Sequence, residues 1–285
     1  MRWQRGRRSS NIEDRRGMRI SRRATGGGIG VVLIALVAMY FGVDPAVILN
    51  QGAPTMETPA PYATQATTPD PSDTLADFMS AVLADTEDTW QELFRRMGRT
   101  YQEPTLVLFT GAVESACGFA QAAVGPFYCP RDQKIYLDLS FYRDLRDRHQ
   151  APGDFAQAYV LAHEVGHHVQ TLLGISEKVH SRRSRVNEID ANRLSVMQEL
   201  QADCFAGLWA HHAHRSRQII ETGDIEEALN AASAIGDDRL QRQARGYVTP
   251  DSFTHGSSAQ RVQWFRRGLE TGETEVCNAF RAERR

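Results

Sequence analysis

Beyond its first 23 residues, the 285-residue sequence lacks any excess of positive charge. Residues 1–23 contain nine arginines against one glutamate and one aspartate, a charge of +7, whereas the whole chain carries −2, so the remainder carries −9. An acidic body argues against a nucleic-acid-binding domain, and we expect no nucleic-acid partner. The basic head requires an anionic partner, and a membrane surface is the nearest candidate.

Charge is also missing from residues 24–43, ATGGGIGVVLIALVAMYFGV, a run long enough to cross a bilayer core. Residues 44–73 lack lysine and arginine, so the positive-inside rule predicts residues 1–23 in the cytoplasm and everything after Val43 outside. A cleaved signal peptide is the alternative, but no convincing Ala-x-Ala site follows the apolar run. We predict an uncleaved single-pass anchor, with residues 1–43 contacting lipid.

No internal repeat is visible, and at 41% hydrophobic and 24% charged residues the chain can form one sizeable globular domain with extensions. Six of the eleven prolines fall in residues 44–73, which we interpret as an extended tether rich in proline and threonine. The globular domain is therefore predicted to cover residues 74–285.

Helical spacing of apolar residues dominates this domain, and short apolar runs bounded by turns predict two strands. Predicted helices cover 75–98, 154–173, 187–214, 224–234, 236–245 and 257–270, and predicted strands cover 104–111 and a stretch that ends near Leu139. The fold class is therefore α+β, mostly helical, with a small sheet near the start of the domain.

The chain has only four cysteines, Cys117, Cys129, Cys204 and Cys277. An even number in an exported domain fits two disulfides, for which three pairings exist. Proximity along the chain favours Cys117–Cys129, which leaves Cys204–Cys277. Buried free thiols remain the alternative.

The stretch LAHEVGHHVQ (161–170) contains H-E-x-x-H at His163, Glu164 and His167. On the predicted helix the two histidines lie one turn apart on one face, so both imidazoles can reach one ion. Glu164 is rotated by about 100° from them, which suits a base that acts on metal-bound water. His168 points away and is not expected to be a ligand. Two satisfied core histidines are the alternative.

A third ligand would decide between these interpretations. The metzincin pattern requires glycine at position 170 and histidine at position 173, where this chain has Gln170 and Leu173. A downstream predicted helix instead offers Glu199 and Asp203, one turn apart. Glu199 would complete a His₂Glu set, and Asp203 would accept a ring N–H from one histidine. A solvated acidic stripe is the alternative, although apolar neighbours predict burial.

H-E-x-x-H followed by E-x-x-A-D resembles the gluzincin signature, and E-L-Q-A-D is similar to membrane-anchored zinc proteases of the heat-shock and CAAX-processing group. That group also carries T-H-P-x-x-x-x-R, whose histidine lies near the transition-state oxyanion. This chain has His255 and Arg261 at the same spacing, with Gly256 in place of proline. The whole chain further resembles the bacterial YpfJ-type putative neutral zinc metallopeptidases, through MRWQRGRRSSNIEDRRG, GPFYCPRDQKIYLDL, HEVGHHVQ, ELQADCFAG and DSFTHGSSAQRVQWFRRG.

The resemblance implies a zincin-like zinc metalloendopeptidase with one Zn²⁺ per chain, acting on peptides or unfolded proteins outside the membrane. Glu164 would take a proton from metal-activated water and pass it to the leaving amine. His255 is the first candidate oxyanion donor and Tyr247 the second; for His255 a surface or capping role is the alternative. The strand at 134–139 is a candidate edge for an extended substrate, or an ordinary core strand.

Other polar residues receive structural interpretations. His211, His212 and His214 are expected to form a solvated basic helix end, which the helix dipole favours. Asp237 and Asp238 are expected to be a pair that caps a helix.

Two rival functions remain open. One is a catalytically inactive, membrane-anchored scaffold or binding protein that retains a zinc site, although such sites are normally closed by four protein ligands. The other makes the basic head the functional element, with the domain as a sensor.

Overall fold

Eight helices and six strands form the part of the chain that the structure, a computed structural model, describes, namely residues 1–18 and 72–280. The helices are α1 (Thr74–Arg96), α2 (Phe141–Asp147), α3 (Asp154–Leu172), α4 (Ile175–Arg183), α5 (Glu188–Arg217), α6 (Asp224–Ala234), α7 (Asp237–Arg245) and α8 (Ser258–Thr271). The strands are β1 (Ile12–Asp14), β2 (Thr105–Phe109), β3 (Ala112–Ser115), β4 (Gly118–Gln121), β5 (Phe127–Cys129) and β6 (Lys134–Asp138). The prediction of a mostly helical α+β fold is confirmed.

The six predicted helices are all present, and their ends follow from local chemistry. The Asp73 carboxylate accepts hydrogen bonds from the backbone N–H groups of Leu75 and Ala76, so α1 begins where the sequence indicated. The sequence missed α2 and α4. Both are short, and α4 buries only Val179, so it has no apolar stripe for a periodicity argument to detect.

The main sheet has the strand order β1-β2-β6-β5, and β3 and β4 form a separate antiparallel pair. Strand β2 runs parallel to both β1 and β6, whereas β5 pairs antiparallel with β6. The prediction that residues 134–139 offer a free edge is wrong, because β6 is hydrogen-bonded on both sides. Residues 135–138 are all buried, as in an interior strand.

Residues 1–18 belong to the same compact unit as the domain. Strand β1 extends the sheet, with Ile12 opposite Leu106 of β2, and the Trp3 ring meets Phe78 of α1 edge to face at 5.2 Å. Ile12 is only 4% exposed. This differs from the expected division at residue 23, in which a separate head precedes the domain.

Helix α3 lies in the core beside α5. Phe155 at its start stacks on Trp209 of α5 with ring centroids 5.7 Å apart. Helices α5 and α8 approach each other so closely that a Cβ added at Gly268 would lie 2.0 Å from the carbonyl oxygen of Cys204. Only glycine is compatible with this crossing, which holds α8 against the second half of α5.

Both expected disulfides are present. Cys117 bonds to Cys129, which ties the turn between β3 and β4 to β5, and Cys204 bonds to Cys277, which ties α5 to the segment after α8. No cysteine is free. The alternative of buried free thiols is therefore wrong.

Within residues 1–18 and 72–280, no helix has both the length and the apolar character needed to cross a membrane. The apolar segment 24–43 and most of the predicted tether fall outside the described residues.

Candidate metal centre

Three side chains from two helices converge beside the core. Helix α3 supplies His163 and His167, and α5 supplies Glu199. The Nε2 atom of His163 lies 3.2 Å from one oxygen of Glu199, and Nε2 of His167 lies 3.4 Å from the other. One potential ligand atom from each residue lies within 4.8 Å of the other two. The set predicted from sequence is thus brought together in space.

A glycine inside the H-E-x-x-H pattern makes this convergence possible. A Cβ added at Gly166 would lie 3.0 Å from the carbonyl oxygen of Ala202 and 3.1 Å from its Cα, so the two helix backbones nearly touch there. Residue 199 lies about one turn before residue 202 on α5. A larger residue at position 166 would push α5 away and carry Glu199 away from the histidines.

Behind His163 lies a buried polar network. Asp203, which is 0% exposed, accepts from Nδ1 of His163 at 2.8 Å and from the Tyr159 hydroxyl. Arg261 of α8 donates two hydrogen bonds to this carboxylate, each 2.9 Å long. Because Nδ1 of His163 carries the proton that Asp203 accepts, Nε2 is the nitrogen that a cation can bind in place of a proton. Asp203 therefore has the role that the sequence predicted, and Arg261 and Tyr159 hold it in place.

The pKa values indicate a site in which positive charge is favoured. Burial alone would lower the pKa of His163, but the Asp203 and Glu199 carboxylates raise it to about 9. Burial would raise the pKa of Glu199, yet the imidazoles of His167 and His163 hold it well below its usual range. In the absence of a cation, protons on the histidines balance the carboxylates.

Glu164, beside His163 on α3, is 8% exposed. Its carboxylate makes no hydrogen bond to another residue in the described part of the chain. It is near enough to His167 that it contributes, after burial and the larger effect of Glu199, to the raised pKa of that histidine. A carboxylate beside the ligand cluster that no protein donor occupies can accept a proton from water.

His255 lies in the loop before α8, and its position depends on Asp237, which the sequence predicted to be a helix cap. Asp237 accepts the backbone N–H groups of Thr254, His255 and Gly256, and also contacts Nδ1 of His255 at 3.2 Å. The imidazole is half exposed and interacts electrostatically with Glu199. Asp237 therefore organises the loop that brings His255 towards the three converging side chains.

The prediction that Asp237 and Asp238 are the N-cap pair of a helix is wrong. The N-cap of α7 is Gly236, and Asp237 and Asp238 are its first two residues. Asp238 accepts from the backbone N–H and hydroxyl of Ser258 at the start of α8. Both carboxylates serve the neighbouring loop and helix, partners that are distant in sequence.

Two further expectations about histidines meet different outcomes. His168 is 0% exposed and its ring nitrogens contact the Tyr128 hydroxyl and the Gln102 carbonyl, in agreement with the expectation that it is not a ligand. The prediction of a solvated helix end is wrong for His211 and His212. Their rings donate hydrogen bonds to the backbone carbonyls of Leu269 and Gly272, respectively. They join the end of α5 to the end of α8.

The second candidate oxyanion donor, Tyr247, is 61% exposed and packs under the guanidinium of Arg245. No contact between described residues joins it to His163, His167 or Glu199. His255 therefore remains the better candidate.

The donor set fits zinc. Two imidazole nitrogens and one carboxylate oxygen match the ligand types of Zn²⁺ in hydrolytic sites, which keep a position open. The carboxylate–histidine pair of Asp203 and His163 is the usual support of such a ligand. A cation at this point would also take over the charge balance that protons otherwise provide.

Comparison with known proteins agrees with this chemistry. Residues 1–280 match the family described as "Putative neutral zinc metallopeptidase". The chain is 50% identical over 291 residues to the "Uncharacterized protein YpfJ" of Escherichia coli (strain K12), covering 98% of this chain and 99% of that protein. It is 39% identical over 256 residues to an uncharacterized protein of Mycobacterium tuberculosis (strain ATCC 25618 / H37Rv), covering 86% of this chain and 85% of that protein. No solved structure matches.

Proposed function

The chain belongs to the putative neutral zinc metallopeptidase family, and on that premise we propose that it hydrolyses peptide bonds with one Zn²⁺ bound by His163, His167 and Glu199. The observation that carries the proposal is the convergence of their three ligand atoms within 4.8 Å. The substrates are peptides or unfolded proteins.

Bound zinc would supply the Lewis acidity that activates water and polarises the peptide carbonyl. Glu164 takes the proton from the attacking water and delivers it to the leaving amine. Its carboxylate is buried and has no hydrogen-bonding partner in the described part of the chain, which leaves it available for both transfers.

His255 donates a hydrogen bond to the oxygen that becomes negative in the transition state. Support comes from the Asp237 carboxylate, which contacts Nδ1 and leaves Nε2 available, and which raises the pKa of the imidazole against the effect of burial. A raised pKa favours the imidazolium form, in which Nε2 as well as Nδ1 carries a proton.

We further propose that the domain works outside the cytoplasm. The two disulfides support this location, because such bonds persist in oxidising compartments. Lipid contact by residues 24–43 remains a prediction, as that segment lies outside the described residues.

The test compares the full-length wild type with Glu164→Gln, and uses Glu177→Gln on the exposed surface of α4 as the matched control. Cleavage of an unstructured protein and zinc content are measured for all three. We expect zinc in each protein, and cleavage that fails only in Glu164→Gln and in chelator-treated samples.

Zinc in every variant without cleavage by the wild type would favour the inactive scaffold. A folded wild type that binds no zinc would refute the metal site itself.

A further inference from the structure

A buried amide occupies the side of His167 that faces away from Glu199. Gln170, one turn further along α3, is 0% exposed, and its Oε1 lies 3.0 Å from Nδ1 of His167. His163 has Asp203 in the corresponding position, whereas His167 has no carboxylate there. The two histidines are thus supported by different chemistry.

The hydrogen-bond pattern fixes the orientation of this amide. The Nε2 group of Gln170 donates to the backbone carbonyl of Gln198 at 2.7 Å, and a carbonyl can only accept. The amide atom that faces His167 must therefore be the oxygen. Nδ1 of His167 then carries a proton, and Nε2 is the nitrogen that a metal ion can bind.

A second amide continues the chain of hydrogen bonds. Gln170 also donates to Oε1 of Gln201 at 3.1 Å, and Gln201, 4% exposed, donates to the carbonyl of Cys277 at 3.0 Å. Cys277 is held to α5 by its disulfide with Cys204. The backbone carbonyls of Gln198 and Cys277 thus fix the orientation of both amides. Nδ1 of His167 must then carry a proton to donate to Gln170.

We propose that Gln170 is a positioning residue that sets the tautomer and ring orientation of His167 for metal binding, with Gln201 linking it to the Cys277 carbonyl. The proposal rests on the proposed zinc site. Groups that support a metal ligand in this way typically account for about 10–100-fold of metal affinity.

Two substitutions separate positioning from simple packing. Gln170→Glu keeps an acceptor for Nδ1 of His167 but loses the amide donors to Gln198 and Gln201. Gln170→Met keeps the approximate shape and loses both functions. We would measure the zinc dissociation constant of each full-length variant by chelator competition, and the free energy of unfolding of each metal-free protein.

If Gln170 positions His167, Gln170→Met weakens zinc binding by about 10–100-fold, whereas Gln170→Glu stays within about threefold of the wild type. Equal zinc affinities in both variants, with equal losses of unfolding free energy, would show that Gln170 only joins α3 to α5 and would overturn the proposal.

A measurement on the wild type needs no variant to fold. In the zinc-loaded full-length protein, nitrogen chemical shifts of His167 should report a proton on Nδ1. A proton on Nε2 would refute the assignment, whereas failure of the wild type to bind zinc would refute the metal site on which it rests.

A second observation concerns the basic head. Two of its arginines contact carboxylates of the domain: Arg8 makes two hydrogen bonds to Asp77, of 2.5 and 2.8 Å, and Arg7 contacts Glu87 at 2.8 Å. Glu87, 0% exposed, also accepts from Asn11 at 2.9 Å. Arg7 and Arg8 are therefore part of the folded domain.

The residues on either side of segment 19–71 also meet, because Arg16 is ion-paired with Asp73. A single crossing by residues 24–43 would separate residues 1–18 from residues 72–280 by the bilayer. It would break the β1–β2 pairing and leave Glu87 buried without its arginine, which is costly.

From this geometry we infer that residues 1–18 and 72–280 lie on the same side of the membrane in the folded protein. The expected arrangement, with the head in the cytoplasm and the domain outside, would require the head to be undocked. The inference holds whichever side the domain occupies.

Matched exposed serines allow a direct test. All four native cysteines are paired, so Ser10→Cys in the head and Ser184→Cys in the domain each introduce one thiol on an exposed residue. Spheroplasts that express each full-length variant are treated with a membrane-impermeant maleimide, before and after lysis, with the parent protein as background control.

Equal labelling of both thiols before lysis supports the inference and an external domain. Protection of both until lysis supports the inference but refutes the external location. Labelling of only one before lysis would overturn the inference.

Discussion

Acid sensitivity of the fold should depend on one buried histidine, His168. Its imidazole is 0% exposed, lies 3.1 Å from the Tyr128 hydroxyl and 2.6 Å from the Gln102 carbonyl, and faces the ring of Tyr101. Burial lowers its pKa to about 4, against a smaller opposing effect of the Gln102 carbonyl. The perturbation is protonation, which places an unpaired charge between α3 and β5.

The magnitude follows from linkage. The pKa of His168 is depressed from 6.5 in the unfolded chain to about 4 in the folded protein. Its contribution to stability is therefore complete above pH 6.5 and is lost as the pH falls towards 4. A shift of about 2.5 units at 1.36 kcal/mol per unit gives a loss of about 3 kcal/mol, of which about 2 kcal/mol should be gone by pH 5.

The assay is urea unfolding of the full-length protein at pH 7 and pH 5, comparing wild type with His168→Gln. Glutamine retains a neutral donor and acceptor but does not titrate, so the variant should lack about 2 kcal/mol of the wild-type decrease. Histidines with raised pKa values, such as His163, contribute equally in the two proteins, so their effect cancels when the acid slopes are compared. Equal acid slopes in the two proteins would refute the reasoning.

Three further predictions concern packing around α5. Replacing Cys204 and Cys277 together with serine should lower the free energy of unfolding by about 4 kcal/mol, given a sequence separation of 73 residues, and urea denaturation should show it. Gly268→Ala should cost about 3 kcal/mol and lower Tm, because its Cβ would lie 2.0 Å from the Cys204 carbonyl oxygen; an unchanged Tm would mean that the helices are less closely packed. Arg261→Met leaves the Asp203 carboxylate buried without its cation, so the metal-free protein should lose about 3–5 kcal/mol in denaturant titration, and a loss below about 1 kcal/mol would contradict the described network.

The parts of the candidate centre that could be predicted from sequence depend on local geometry. A spacing of four residues on a helix places His163 with His167, and Glu199 with Asp203, before any tertiary structure is known. The remaining step, that both pairs face each other, was predicted from the ligand set of catalytic zinc and from the expected burial of Glu199 and Asp203. In the structure it depends on Gly166, whose missing side chain lets the helices touch.

Residues that act through distant partners could not be recognised from sequence. In the sequence, Gln170 is notable only because the metzincin pattern requires glycine at that position. Its hydrogen-bond partners are His167 of α3 and Gln201 of α5, and the second comes close only in the folded protein. Asp237 looked like a helix cap, since acidic residues at a helix start usually are. Its main partners lie in the loop around His255, which the chain reaches only after folding.

Strand β1 escaped prediction for a similar reason. Three residues between arginines and a turn give no periodicity, and the surrounding charge favoured a topology signal over a strand. Arg7 and Arg8 are instead paired with Glu87 and Asp77 of α1. Charge alone could not distinguish a membrane partner from a protein partner, because both are anionic.

The pairing of β1 with β2 has a consequence for biosynthesis. The first strand of the chain to be synthesised can pair only after its neighbour has been made, since Ile12 lies opposite Leu106. Contacts so far apart in sequence form late and slow the search for the native state. During that interval the edge of β2 is open to strands of other chains, so the nascent protein should need a holdase, or rapid engagement of its leading segment, to avoid aggregation.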